Sequence, residues 1–222
     1  MCGRFTITLD PADLQQELNL GELPAEWKPR YNVAPTQNIP IVNDAQTRSV
    51  QMFRWGLIPS WAKDITIGER LINARSETLR EKPSFRYAFA NQRCLVLADG
   101  FFEWQQRNPK TPKVPMYFQL LEAKPFAFAG LWEYWEDAEH KGIHSCTIIT
   151  CEPNTLVAQV HNRMPVILNK DTCWKWLEAK DLSKLQTMIA PYPAEKMSSF
   201  PVGRYVNNPA YDSVECIQPL AF

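Results

Sequence analysis

The residue with the most unusual chemistry in this sequence is the cysteine that follows the first methionine, in MCGRF. Removal of Met1 would leave Cys2 with a free α-amine and a thiol on adjacent carbon atoms. An α-amine has a reference pKa of about 7.7–8.0, so about a tenth of it is uncharged and nucleophilic at neutral pH. Such an amine forms a Schiff base with an aldehyde, and the thiol can then close onto the imine carbon as a thiazolidine ring. Alternatively, Cys2 merely follows the start codon.

A carboxylate among aromatic residues is the second candidate, in ADGFFEW at 98–104. If 93–104 forms a single strand, alternate residues share a face, and Asp99 and Glu103 lie on the same side. Burial among aromatic rings raises the pKa of a carboxyl group, which suits Glu103 to move protons near neutral pH. The alternative is a glutamate paired with an arginine at the edge of a sheet.

A histidine and an arginine stand two residues apart in VHNRMPVIL at 160–168. His161 follows a short predicted helix and titrates near physiological pH, so it could pass a proton to a leaving oxygen. A lone histidine is also often a structural hydrogen-bonding residue. The nearby Arg163 favours a site that faces phosphate.

An amide and a guanidinium alternate with apolar residues in LINARSET at 71–78. Asn73 and Arg75 should therefore project from the same face of a strand. Together they would position a polar substrate and hold a phosphate through paired hydrogen bonds.

Two aromatic segments could contact nucleobases. RYNVAPTQ at 30–37 combines an aromatic residue, an asparagine and a proline, and could wedge against bases or form a rigid turn. RWGLIPSW at 54–61 adds Trp55 and Trp61, which are either stacking platforms or core aromatics.

These residues must be positioned by a fold in which strands dominate. Asp10 and Pro11 predict the start of an amphipathic helix that ends at Gly21. Further helices are predicted at 84–90, capped by Ser84, at 154–161, capped by Asn154, and at about 171–180 and 181–190. Strands are predicted at 50–58, 93–104, 116–122, 126–135, 145–151 and 197–202. Without regular βαβ alternation, this order predicts an α+β fold with a mixed, barrel-like β-sheet flanked by short helices.

Composition narrows the class of protein. A chain of 222 residues fits one domain spanning 1–222, and 24 Lys and Arg against 24 Asp and Glu exclude a global polycation. Residues 28–98 nevertheless hold eleven Lys and Arg against five acids, which is either a phosphate-binding surface or a solvated face. Six cysteines without a C-x-x-C pair and three scattered histidines predict no metal site. The absence of a leader or an apolar span predicts a cytoplasmic protein.

The motifs taken together resemble the SOS-response-associated peptidase (SRAP) family, from residue 2 to about residue 208. The matching blocks are MCGRF, RYNVAPTQ, RWGLIPSW, LINARSET, RCLVLADGFFEW, ITCEPN with VHNRMPVIL, and FPVGRYVNN. The resemblance implies an abasic-site processing protein that binds single-stranded DNA and crosslinks to the ring-opened abasic sugar through a thiazolidine on Cys2. It also implies removal of Met1, by self-cleavage or an aminopeptidase, and some lyase cleavage of the Schiff base. The crosslink would shield the lesion from strand breakage.

The resemblance also implies roles for individual residues. Cys2 attacks the sugar, Asn73 holds the Cys2 amine and the sugar, Glu103 is the acid/base, and His161 assists proton transfer, including reversal. Phosphate contacts are implied for Arg4, Arg75 and Arg163, and groove or stacking contacts for Asn32, Pro35, Trp55 and Trp104. No cofactor, metal or membrane is expected, and the protein is expected to be a monomer that is nucleoid-associated when bound to DNA.

Two rival readings stay open at this stage. N-terminal-nucleophile amidohydrolases of the glutamine amidotransferase type also begin Met-Cys-Gly, but they usually continue with Ile where this chain has Arg4. The other rival is a non-catalytic single-strand binder in which Cys2 is incidental.

Overall fold

Strands are the commonest regular elements of this computed structural model, which describes residues 2–25 and 27–220. The strands are β1 (Phe5–Ile7), β2 (Arg30–Val33), β3 (Asn38–Val42), β4 (Gln51–Trp55), β5 (Asn73–Arg75), β6 (Arg93–Ala98), β7 (Gly100–Gln105), β8 (Val114–Leu120), β9 (Phe126–Glu136), β10 (Gly142–Cys151), β11 (Met164–Pro165), β12 (Ile167–Leu168) and β13 (Met197–Pro201). Met1, on whose removal the predicted chemistry depends, lies outside the described residues.

A closed barrel forms the centre of the described structure. Its five strands follow the order β10, β4, β3, β6 and β9, and β9 pairs with β10 to complete the ring. The β4–β10 pairing is parallel and the other pairings are antiparallel. Strands β5 and β11 extend from β10, and β12 pairs with β9. The predicted α+β fold with a mixed, barrel-like sheet is therefore confirmed.

A second, antiparallel sheet packs on the barrel, with strand order β13-β8-β7-β1-β2. Phe5 of β1 joins the two sheets, because its ring lies 5.2 Å from that of Trp55 and 5.8 Å from that of Phe128, edge to face in both cases. The other face of this sheet is covered by the C-terminal segment, in a small cluster that includes Phe102 and Val206. The sheet thus lies between the barrel and an outer layer.

The prediction of one strand over 93–104 is wrong, because the chain bends at Asp99 and passes from the barrel (β6) to the second sheet (β7). The buried Asp99 carboxylate accepts hydrogen bonds from the Thr6 and Thr8 hydroxyls and from the backbone N–H of Thr8 and Leu9. Asp99 therefore fastens β1 at the crossing point and does not share the role of Glu103.

The first helix begins as predicted and ends earlier. It is α1 (Pro11–Leu18), and the Asp10 carboxylate accepts a hydrogen bond from the Ala12 N–H at 2.9 Å. Asn19, in a left-handed conformation with φ 52°, ends it instead of Gly21.

The later helices also differ in detail from the sequence pattern. Helix α2 (Arg86–Asn91) follows Phe85 without a cap from Ser84, which corrects that prediction. The predicted helix at 154–161 is a single 3₁₀ turn, Val157–Gln159, although Asn154 does cap it by accepting from the Val157 N–H at 2.9 Å. Helices α3 (Cys173–Glu178) and α4 (Leu182–Met188) lie where two helices were predicted.

Candidate functional site at the junction of the two sheets

The pairing of β1 with β7 brings Glu103 beside Cys2. Phe5 lies opposite Phe101, and the Phe102 N–H donates to the Arg4 carbonyl at 3.0 Å. Continued along this register, Glu103 stands opposite Gly3, the neighbour of Cys2. The negative charge of Glu103 contributes, after burial, to a raised pKa of the Cys2 thiol, as expected for two groups that lie close together.

Asn73 reaches the same place from the barrel, because β5 pairs in parallel with β10 and aligns Asn73 with Ile148. Its Nδ2 donates to the Cys2 carbonyl oxygen at 2.8 Å. Its Oδ1 is buried and accepts no hydrogen bond from the described residues. A buried amide oxygen of this kind can accept a hydrogen bond from an amine or hydroxyl group of a bound substrate.

His161 is positioned by the loop between β10 and β11. Its backbone N–H donates to the Val157 carbonyl at 2.9 Å, and Gln105 at the end of β7 donates to the Gln159 carbonyl at 3.2 Å. The Arg163 N–H donates to Nδ1 of His161 at 3.0 Å. This contact is shorter than the 3.3 Å between Nδ1 and the Arg163 carbonyl oxygen, and it favours the neutral tautomer that carries its proton on Nε2.

The electrostatics of the site favour proton transfer near neutral pH. Glu103 is only 3% exposed, and burial raises the pKa of its carboxyl group to about 7. Burial lowers the pKa of His161 and raises that of the Cys2 thiol, so both groups are uncharged at neutral pH. The site can therefore exchange a proton at Glu103, while the thiol needs a base to react.

Arg75 and Arg163 flank this group in different ways. Arg75 follows Asn73 on β5, is exposed, and has no carboxylate partner among the described residues. Arg163 makes two bonds to Glu77, at 2.5 and 3.0 Å, and donates to the Thr150 carbonyl at 2.6 Å. Arg75 thus presents an uncompensated charge, whereas Arg163 is braced against the barrel.

Asn32 and Arg4 are turned toward the C-terminal segment. Asn32 is fully buried, and its Nδ2 lies within hydrogen-bonding distance of the carbonyl oxygens of Val206, Asn208 and Tyr211. Arg4 donates to Oδ1 of Asn32 at 2.8 Å and to the Val206 carbonyl. The predicted DNA contact of Asn32 is corrected accordingly. A fully buried side chain cannot contact a DNA strand, and Asn32 supports the C-terminal segment instead.

The residues predicted to contact bases are partly buried in the core and partly at the surface. Trp55 is buried between the sheets and donates to the Ile72 carbonyl at 2.9 Å, so it offers no face to a base and the stacking prediction is corrected. Trp104 and Pro35 are partly exposed, and Trp104 Nε1 donates to Oδ1 of Asn207 at 2.8 Å. Trp61 is exposed.

Lys113 is a positively charged residue near the site that the sequence motifs did not single out. It lies in the β7–β8 connection and is exposed, and its positive charge acts on both Glu103 and His161, lowering the pKa of each. The signal was present in QQRNPKTPK, which holds three basic residues and no acid.

Other features of the described residues lie outside this site. A cavity of about 510 Å³ opens beside Trp27 and Ile7, at the end of β1 remote from Cys2. No group of three His, Cys, Asp or Glu side chains in the described ranges could hold a metal ion. None of the helices in those ranges has the length and apolar character needed to cross a membrane.

The chain is similar to a known protein family and to several named proteins. Residues 1–209 match the family described as SOS response associated peptidase (SRAP). The abasic site processing protein YoqW of Bacillus subtilis (strain 168) is 46% identical over 223 residues, covering 98% of this chain and 99% of that protein. The abasic site processing protein HMCES of Xenopus tropicalis is 29% identical, covering 98% of this chain and 78% of that protein.

Solved structures share the fold. A crystal structure of a protein from Bacteroides thetaiotaomicron has a TM-score of 0.77 and 29% identity, covering 84% of this chain and 82% of that chain. A protein from Bordetella bronchiseptica has a TM-score of 0.78 and 26% identity, covering 91% of this chain and all of that chain.

Proposed function

The chain belongs to the SOS response associated peptidase (SRAP) family, and on that premise we propose that it processes abasic sites in single-stranded DNA by crosslinking Cys2 to the sugar. The observation that carries the proposal is the convergence of Cys2, Asn73 and Glu103 from three chain segments that are distant in sequence. Relatives named abasic site processing proteins support the substrate class.

Removal of Met1 is the first step of the proposed mechanism, because only a free α-amine on Cys2 can attack an aldehyde. Glu103, with a pKa of about 7, is suited to assist this cleavage as an acid/base. Self-cleavage would make the protein an autopeptidase, in accord with the family description.

Capture of the sugar then follows in two stages. The Cys2 amine adds to the C1′ aldehyde of the ring-opened sugar, and one amine proton passes to the new alkoxide oxygen. Protonated Glu103 then donates a proton to this hydroxyl, which leaves as water and gives the protonated imine (iminium). Ionised Glu103 then takes the thiol proton as sulfur bonds to the iminium carbon, the C=N π electrons move to the nitrogen, and Glu103 is protonated again. The sum is one thiazolidine and one water from an amine, a thiol and an aldehyde.

The neighbouring residues would hold the sugar and the strand during these steps. Asn73 Oδ1 is available to accept from the Cys2 amine or a sugar hydroxyl. His161, through Nε2–H, would donate a proton to the sugar oxygen during ring opening and during reversal. Arg75 and Lys113 would contact phosphates, since neither is held by a carboxylate among the described residues. Slow ring closure would permit some strand cleavage from the imine.

The proposal is tested with single-stranded DNA that contains one abasic site. Wild-type protein, shown by intact mass to lack Met1, should form a complex that survives SDS and heat. Cys2→Ala should form none, whereas Cys173→Ala, which alters another buried cysteine on α3, should crosslink like the wild type. An undiminished adduct with Cys2→Ala would refute the proposal, and glutaminase activity without an adduct would favour the amidohydrolase reading.

A further inference from the structure

An exposed pair of stacked tyrosines lies in the C-terminal segment and has no role in the mechanism above. Tyr205 is 56% exposed, and its ring stacks on that of Tyr211 with centroids 5.1 Å apart and planes inclined by 22°. Arg204, also exposed, precedes Tyr205 in the 3₁₀ turn Arg204–Asn207, and these side chains with Asn208 line a shallow surface depression. An exposed aromatic ring beside a cation is the pattern by which proteins bind unpaired nucleobases.

The backbone beneath this pair is fixed from the second sheet. Buried Asn32 binds the carbonyl oxygens of Val206, Asn208 and Tyr211 through one amide group. Arg4 adds a bond to the Val206 carbonyl, and Trp104 holds Asn207. Such bonds keep Tyr205 in place before any ligand arrives, which lowers the entropic cost of binding.

The same bonds fasten the tyrosine pair to residues that adjoin Cys2 and Glu103 in the chain, on the outer face of the second sheet. Arg4 is two residues from Cys2 in the chain, and Trp104 directly follows Glu103. The segment that carries Tyr205 is therefore attached to the two chain segments that carry the reacting groups.

We propose that Tyr205, backed by Tyr211, is a stacking platform for an intact base that flanks the abasic site, and that Arg204 contacts the adjoining phosphate. This inference rests on the proposed function. A base beside a lesion has lost one stacking neighbour, so an aromatic ring that takes the empty place gains free energy without breaking a stack. The nearby Asp212 does not oppose a phosphate, because its carboxylate is bound to Arg30 and to the backbone N–H groups of Tyr31 and Asn32.

The first test measures binding of undamaged single-stranded DNA that carries a fluorescent 2-aminopurine base, with the full chain. Tyr205→Ala should weaken binding by about tenfold or more, as expected for loss of one base–aromatic stack, and should abolish quenching of the probe at one position. Tyr205→Phe should restore both, because stacking needs the ring and not the hydroxyl. Tyr87→Ala removes a tyrosine that is 60% exposed on α2 and should bind like the wild type.

The second test locates the base in the crosslinking reaction. In a set of oligonucleotides, each nucleotide near the abasic site is replaced in turn by a tetrahydrofuran spacer, which lacks a base and cannot crosslink. At limiting DNA, a spacer at one position should slow crosslinking by the wild type as much as the substitution Tyr205→Ala slows it on unmodified neighbours. The same spacer should not slow crosslinking by Tyr205→Ala any further.

The outcomes separate the two proposals. Crosslinking by Tyr205→Ala at the wild-type rate on every oligonucleotide, with unchanged binding and quenching, overturns the platform and leaves the crosslinking proposal intact. Absence of any wild-type adduct overturns the crosslinking proposal, while the 2-aminopurine measurement still decides whether Tyr205 stacks on bases.

Discussion

Glu103 is the single residue on which the proposed chemistry depends most, because it must give a proton at one step and take one at another. A carboxyl group with its ordinary pKa would be ionised throughout at neutral pH and could only accept. Burial raises the pKa of Glu103 to about 7, which keeps both forms populated. The sequence predicted this from a glutamate among aromatics, although the assumed single strand was wrong.

The pH dependence of crosslinking tests this role. In chains whose Cys2 is exposed by cleavage of an N-terminal tag, the single-turnover rate of the wild type should show an inflection near pH 7, above which Glu103 loses the proton that it donates. Glu103→Gln should be about 100-fold slower and lack that inflection, since its profile follows the amine alone. A variant profile with the wild-type inflection would assign the titration to another group.

Glu133, on β9, is another buried carboxyl group, and it affects stability instead of chemistry. It is 6% exposed, and burial raises its pKa from 4.5 to about 7. Between these pH values the folded state keeps a proton that the unfolded state releases, so the contribution of Glu133 to stability is full below pH 4.5 and is lost as pH rises through 7.

Replacement of Glu133 by glutamine should therefore raise the melting temperature more at pH 8 than at pH 5, because glutamine has no charge to bury. The exposed Glu195→Gln is the matched control and should leave the pH dependence as in the wild type. Equal gains for Glu133→Gln at both pH values would show that the carboxyl group is solvated in the folded protein.

At the scale of elements, the C-terminal segment depends on side chains that precede it by more than 170 residues. The family resemblance implied DNA contacts for Asn32 and Arg4, and in the structure both side chains bind the backbone of this segment. A sequence shows which residues are polar, but not whether a polar group will meet a ligand or a carbonyl from a distant part of the chain.

Loss of the Asn32 amide should loosen this segment. Asn32→Ala leaves buried carbonyl groups without donors, at a cost of about 3 kcal/mol in unfolding free energy. Hydrogen exchange over 204–211 should accelerate more than exchange in the barrel. Asn91→Ala, at the exposed end of α2, should change stability by less than about 0.5 kcal/mol. Unchanged exchange over 204–211 in Asn32→Ala would contradict the fastening role.

Element ends were harder to predict than element types. The helix cap at Asp10 could be predicted because it is local: the Asp10 carboxylate accepts a hydrogen bond from the backbone N–H two residues later. The bend at Asp99 was not, because it depends on Thr6 and Thr8 of a strand more than 90 residues earlier. Apolar residues continue through 93–104 on both sides of the bend, so the pattern gave no signal of the passage between sheets.

At the scale of the whole molecule, the fold serves to bring distant segments to one point. Strand β5 reaches Cys2 from the barrel and β7 from the second sheet, and the loop after β10 carries His161. The grouping of Cys2, Asn73, Glu103 and His161 was implied by the family resemblance, because each motif taken alone left a structural alternative open. The closed ring of strands could not be derived from the sequence pattern, since the parallel β4–β10 pairing joins segments about 90 residues apart.

The central claim is that the nitrogen and sulfur of Cys2 both bond to the abasic sugar, and the most direct test is mass spectrometry of the purified adduct after protease and nuclease digestion. The account predicts that the sugar remnant lies on the N-terminal peptide that begins with Cys2, at the summed mass less one water, without reduction by borohydride. A remnant on any other residue, such as Lys113, or an adduct that persists only after reduction, would contradict it.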